Sequence, residues 1–171
     1  MNDLGTYTQH DGRPAVRFSR DYPDDLDRVW RAVTDPAELS HWFPSKVSHQ
    51  AAVGAPIEFT GDPYADDVTG EVLVWEPPHR FAFSWGQDEI HLELSPTEQG
   101  CRLVLVNVLE AQNTAARNAS GWFVCLDELR RWLAGESSDG PHGADPEVFE
   151  TAYAAHRSAS LPAGAGIPEP A

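Results

Sequence analysis

Glu71 and Asn107 are the two polar side chains whose positions most invite chemistry. Glu71 interrupts an apolar alternation in the run Val68–Trp75 (VTGEVLVW), on the parity of Leu73 and Trp75. If that face turns inward, its carboxylate stands in a pocket mouth as a ligand anchor or general acid–base. Burial would raise its proton affinity, and proton transfer needs such a group within hydrogen-bond reach of the substrate. If the strand ends near Gly70, the same carboxylate reaches solvent. Asn107 interrupts the most apolar run, Cys101–Leu109 (CRLVLVNVL), on the parity of Leu103, Leu105 and Leu109. A buried amide needs partners, so it serves either as a structural hydrogen-bonder or as a polar contact for a ligand.

The remaining reactive residue types form no recognisable set. His41, His49, His79 and His91 lack zinc-ligand spacing, and His91 alternates with Ile90 and Leu92, so it is expected to face outward. Ser84, Ser95 and Ser120 lack a nucleophile-elbow sequence, and no glycine-rich phosphate loop occurs. Cys101 and Cys125 are the only cysteines, fall outside any CxxC pattern, and read as buried inert thiols. No metal and no cofactor are expected, and no catalytic constellation stands out; Glu71 is the single candidate.

These side chains must be held by elements that the periodicity makes legible. Residues 1–14 are polar and read as a flexible arm, followed by a first strand at Ala15–Arg20. Leu26, Val29, Trp30 and Val33 fall at i, i+3, i+4 and i+7, a helical stripe with Asp24 as a cap. Asp35-Pro36-Ala37-Glu38 starts a second, short helix, with Glu38 reaching back as a capping box; Pro44 closes the segment after Leu39, Trp42 and Phe43. Trp30 and Trp42 then line a shared edge, packed in the core or placed at a pocket rim. The period changes to two over 56–60, 68–75, 80–85, 89–94 and 101–109, which marks an antiparallel meander. Ala115, Ala119, Trp122, Leu126, Leu129 and Leu133 restore helical spacing up to Gly135. Residues 136–144 read as a linker, 145–157 as an accessory helix, and 158–171 as a disordered tail rich in Pro, Gly and Ala.

Strands gathered together with helices elsewhere give an α+β class. A strongly twisted sheet needs an apolar cover, and the helix of Trp122 is the one long enough to supply it. A curved sheet against a single rod leaves a space between them. Phe59, Leu73, Trp75, Phe83, Trp85 and Leu105 on the strands, with Trp122 and Leu126 on the helix, would line it beside Glu71 and Asn107. Such a lining suits an apolar or aromatic small molecule, and Trp122 is equally placed for packing or for ligand contact.

The charge balance is 12 Lys+Arg against 27 Asp+Glu, a net −15. That surface repels phosphate backbones and anionic headgroups, which excludes nucleic acid and membrane surfaces as partners. No apolar run approaches the about 20 residues of a bilayer span, and no secretory signal opens the chain, so a cytoplasmic location is expected.

Several stretches resemble a known family. Val29-Trp30-Arg31-Ala32-Val33-Thr34-Asp35-Pro36, followed by Leu39 and Trp42, is similar to the opening of Hsp90-ATPase-activator-homologue-like domains. The run Gly70–Phe81 with Pro77-Pro78, the pair Ser84-Trp85, Gly100-Cys101-Arg102-Leu103, and Gly121-Trp122 with Leu126 and Leu129 follow in the family's order. The likeness covers residues 15–135, departs at Cys101, and extends to the START-like (Bet v 1-like, polyketide cyclase-related) superfamily. It implies a helix-grip fold: a curved antiparallel sheet around a long C-terminal helix, with two short helices after the first strand. It implies three kinds of function: holding a small molecule, cyclase- or dehydratase-type catalysis by Glu71, Asn107 or His91, and regulation of a chaperone. Proteins with the last role carry a second, N-terminal domain, whereas only about 14 residues precede the first strand here, so a chaperone partner is not expected. A monomer or a homodimer is expected.

Overall fold

Alternation of apolar and polar residues from Pro56 to Leu109 becomes a sheet because each strand has one face to bury. The computed structural model describes residues 2–171. In chain order its elements are β1 (Thr6–His10), β2 (Arg13–Tyr22), α1 (Leu26–Thr34), α2 (Pro36–Leu39), β3 (Lys46–His49), β4 (Pro56–Thr60), β5 (Val68–Glu76), β6 (Arg80–Trp85), β7 (Asp88–Thr97), β8 (Gly100–Val108), α3 (Ala115–Leu133) and α4 (Pro146–Ser158). The eight strands form one antiparallel sheet in the order β1-β2-β8-β7-β6-β5-β4-β3. The sheet curves around α3, whose Ala115, Ala119, Trp122, Leu126 and Leu129 are buried against it. No helix among the described residues is long and apolar enough to cross a membrane.

The two short helices turn the chain from β2 to β3 and are capped by aspartates. Asp25, one residue after the expected Asp24, accepts the Arg28 N–H at 2.8 Å. Asp35 accepts the Ala37 N–H at 2.8 Å, with Pro36 at the first helical position. Glu38 does not reach back to Asp35; it takes the Arg28 guanidinium at 2.6 Å, a charge-assisted contact. Trp42 is fully buried, and its indole N–H reaches the Ala32 carbonyl at 2.9 Å, so it pins α2 to α1.

Three further expectations differ from the structure. The arm expected over residues 1–14 contains β1, joined to β2 through Asp11-Gly12, both at positive φ (49° and 80°). That dipeptide suits the mirror-image turns whose twist matches a hairpin. The tail expected to be disordered from residue 158 lies against the domain: Leu161 is buried, and the Pro162 carbonyl accepts the Ala116 N–H at 2.9 Å. Helix α3 has no side-chain N-cap, and the tail satisfies one of its orphaned first-turn donors.

The third difference concerns Glu71 and Leu73. Val72 pairs with Phe83 and Val74 with Ala82, so β5 gains one residue in a bulge between them. The side-chain parity flips there: Val72 and Trp75 pack on the core side, whereas Glu71 is exposed and Leu73 sits half-buried at the bulge, outside the core cluster. Gly70 marks the same place, because a Cβ there would meet the Ser84 carbonyl oxygen. The Glu71 N–H is bound by Ser84 Oγ at 2.9 Å.

Candidate functional site

The space between sheet and α3 is the place where the fold could hold a ligand, and aromatic rings fill it. Phe59 comes from β4, Phe83 and Trp85 from β6, and Trp122 from α3. Between them stands Phe43, carried on the irregular segment after α2 and 3% exposed. Its ring centroid lies 5.8 Å from Phe59, 6.0 Å from Phe83, 5.4 Å from Trp85 and 5.6 Å from Trp122. Trp85 and Trp122 meet edge-on at 5.7 Å. These separations and tilts are those at which aromatic rings attract one another. Leu105 and Leu126 complete the packing and are buried. Open hollows lie elsewhere on the surface, one beside Ala154, Arg157 and Ser158 and one beside Tyr22, Thr97 and Arg102.

One end of this aromatic cluster is polar. Asn107 is fully buried, and its Oδ1 accepts the Trp122 indole N–H at 3.0 Å and the Asn118 amide at 3.2 Å. Its Nδ2 donates to Asp88 Oδ2 at 2.9 Å and to the Val108 carbonyl at 3.1 Å. Asp88 Oδ2 also takes Asn118 Nδ2 at 3.2 Å, and its Oδ1 takes the Glu110 N–H at 2.8 Å. Burial holds the Asp88 carboxyl above the ordinary aspartate range, with hydrogen bonds from Asn107 and Glu110 working against that rise. Both amides spend their N–H hydrogens within this group, which leaves the Asp88 carboxylate as the acceptor for a hydroxyl on an otherwise apolar molecule.

The predicted residues therefore divide. Phe59, Phe83, Trp85, Leu105, Asn107, Trp122 and Leu126 come together. Trp75 packs in a neighbouring group with Trp30 at 5.2 Å and Phe81 at 5.3 Å. Leu73 and Glu71 leave the site through the bulge, so the acid–base role expected of Glu71 has no buried setting. His91 lies on the opposite face, where its ring stands 4.6 Å from His10 and its Nε2 meets Glu89 at 2.9 Å. Among the described residues no group of three His, Cys, Asp or Glu side chains is placed to hold a metal. Sequence reasoning missed Asp88 and Asn118 and placed Phe43 only at an apolar edge. Asn118 precedes Trp122 by four residues and so shares its face, a signal present in the sequence; Asp88 opens β7 directly after the polar Gly86-Gln87 turn and gave none.

Comparison with known proteins accords with this geometry. The family model described as activator of Hsp90 ATPase homolog 1-like protein matches residues 25–134, more than half of the chain. No curated protein matches the sequence. Among solved structures, CalU16 from Micromonospora echinospora superposes with a TM-score of 0.72 at 22% identity, covering 90% of this chain and 94% of that one. EF2215 from Enterococcus faecalis, a conserved protein of unknown function, gives a TM-score of 0.69 at 18% identity over 92% and 91%. DynU16, a protein of the dynemicin biosynthetic locus, gives 0.63 at 25% identity over 74% of this chain and 50% of that one. These likenesses show the helix-grip fold.

Proposed function

Because the chain belongs to the activator of Hsp90 ATPase homolog 1-like family, within the START-like superfamily, we propose that it binds an apolar or aromatic small molecule between the sheet and α3, in the space that Phe43 occupies. One observation carries the proposal. Phe43 is the filler borne neither by the sheet nor by α3, but by a segment next to a four-residue helix. Its departure leaves both walls standing, whereas loss of Phe83 or Trp122 would dismantle one. The walls it would leave, Phe59, Phe83, Trp85 and Trp122, suit a flat apolar ring system. The Asp88–Asn107–Asn118 group would take an oxygen substituent at the polar end. DynU16, from a biosynthetic locus, adds support for a small-molecule occupant.

The test is a titration of the wild-type protein with fused-ring aromatics, followed by Trp85 and Trp122 fluorescence and by native mass spectrometry. Saturable one-to-one binding that perturbs both indoles is the expected result. Binding by Phe43→Ala but never by the wild type would mean an engineered hole only, and would sink the proposal.

A further inference from the structure

Three loops meet beside Phe43, and one imidazole ties them. His142 lies in residues 136–144, between α3 and α4, and its Nε2 stands 2.6 Å from the Pro44 carbonyl and 3.7 Å from Asp62 Oδ1. A carbonyl only accepts, so Nε2 carries the proton and donates. The His142 ring also stacks on Tyr64, with centroids 5.6 Å apart. Pro44 follows Phe43 directly, and Asp62 and Tyr64 belong to the β4–β5 loop. Upstream in the same segment, Ser138 Oγ donates to Glu128 on α3 and accepts the Gly140 N–H at 3.1 Å. Cys125 lies about one turn before Glu128 on α3, and its thiol is buried and pushed up first by that burial and then by the charges of Asp62 and Glu128, the two carboxylates that His142 and Ser138 approach.

We infer that residues 136–144 form a strap with His142 as its latch, and that the strap must lift before the Phe43 segment can swing out. The inference rests on the proposed binding space and concerns its regulation: the strap sets how fast an occupant enters. The geometry reaches Phe43 through its neighbour's carbonyl, so releasing His142 frees the turn in which the Trp42 and Phe43 N–H groups are held by the Leu39 carbonyl at 3.1 and 2.8 Å.

The experiment needs no ligand. Thiol labelling of Cys125, with buried Cys101 as the internal control, and amide exchange of Trp42 and Phe43 are measured in wild type, His142→Ala and His142→Gln. Loss of one net hydrogen bond corresponds to about fivefold to tenfold faster opening. His142→Ala is expected to accelerate Cys125 labelling and Phe43 exchange by that factor and to leave Cys101 and the β7–β8 amides unchanged. His142→Gln, which retains an N–H for Pro44, is expected to restore slow opening. Unchanged Cys125 and Phe43 rates overturn the strap, and so does equal acceleration of Cys101, which would mark a general loss of stability. Because these rates are read without any occupant, a failed ligand titration removes the proposed function and leaves the strap standing or falling on its own result.

Discussion

Replacing Phe43 with alanine tests how the interior is built. The ring is 3% exposed and lies against five other aromatic rings, Trp42 included, so its removal forfeits both transfer energy and ring–ring attraction. A buried Phe→Ala change costs about 3–5 kcal/mol, with the spread set by how far the surroundings collapse. The segment that carries Phe43 follows a four-residue helix and can settle inward, which puts the loss near the lower end, about 3 kcal/mol. Phe83 sits in β6 between β5 and β7, where a paired backbone cannot follow the missing ring, so its loss belongs near the upper end, about 5 kcal/mol. Urea unfolding followed by tryptophan fluorescence measures both. The hole left by Phe43→Ala is apolar and should admit a single aromatic ring such as indole. Ligand at a hundredfold excess over its dissociation constant would return about 2.7 kcal/mol. A loss below about 1 kcal/mol, or no recovery with any aromatic probe, would refute the assignment of Phe43 as the filler between two standing walls.

Other outcomes follow from single groups. The Asp88 carboxyl, raised by burial, makes its most favourable contribution to stability at low pH and loses it as pH rises through its elevated value; carboxyl carbon shifts should show its midpoint above about 3.9, and a midpoint at or below that refutes the burial argument. His156 is fully buried, its Nε2 accepts the Gly5 N–H at 3.0 Å, and burial lowers its proton affinity. Stability should therefore fall as pH drops below about 6.5, and thermal melts of His156→Leu should lack that part of the slope. Glu71→Gln, on the exposed face of the bulge, should change stability by less than about 0.5 kcal/mol and leave any ligand titration unaltered.

Periodicity made the meander and the α3 stripe legible because each side chain's burial there depends on local register alone. Glu71 and Leu73 escaped it for the same reason: a bulge shifts register without altering the apolar count, and only the pairing partner, here Phe83 then Ala82, reveals the extra residue. Asn107 was legible as a buried amide in need of partners, but Asp88 and Asn118 lie 19 and 11 residues away and meet it only through the fold. Phe43 looked like one more apolar residue at a helix edge. Its place between the sheet and α3 depends on where the Pro44 turn sends the chain, which periodicity does not encode. The Asp11-Gly12 turn was missed as well: the polar run Thr6–His10 before it has no apolar alternation, so the segment read as a flexible arm.

The contact between Pro162 and Ala116 has a practical side. Composition invites anyone preparing a shorter version of this protein to stop after α4. A chain ending at Ser158 would leave the Ala116 amide without its acceptor, open the apolar seat of Leu161, and free Arg117 from the Gly166 carbonyl at 3.0 Å. Ala119 and Trp122 lie within the next two turns of the same helix, so fraying at its start would loosen one wall of the aromatic cluster. Affinity tags and fusion partners therefore belong at the other end of the chain, or beyond Ala171 on a spacer that leaves its N–H on the Pro63 carbonyl.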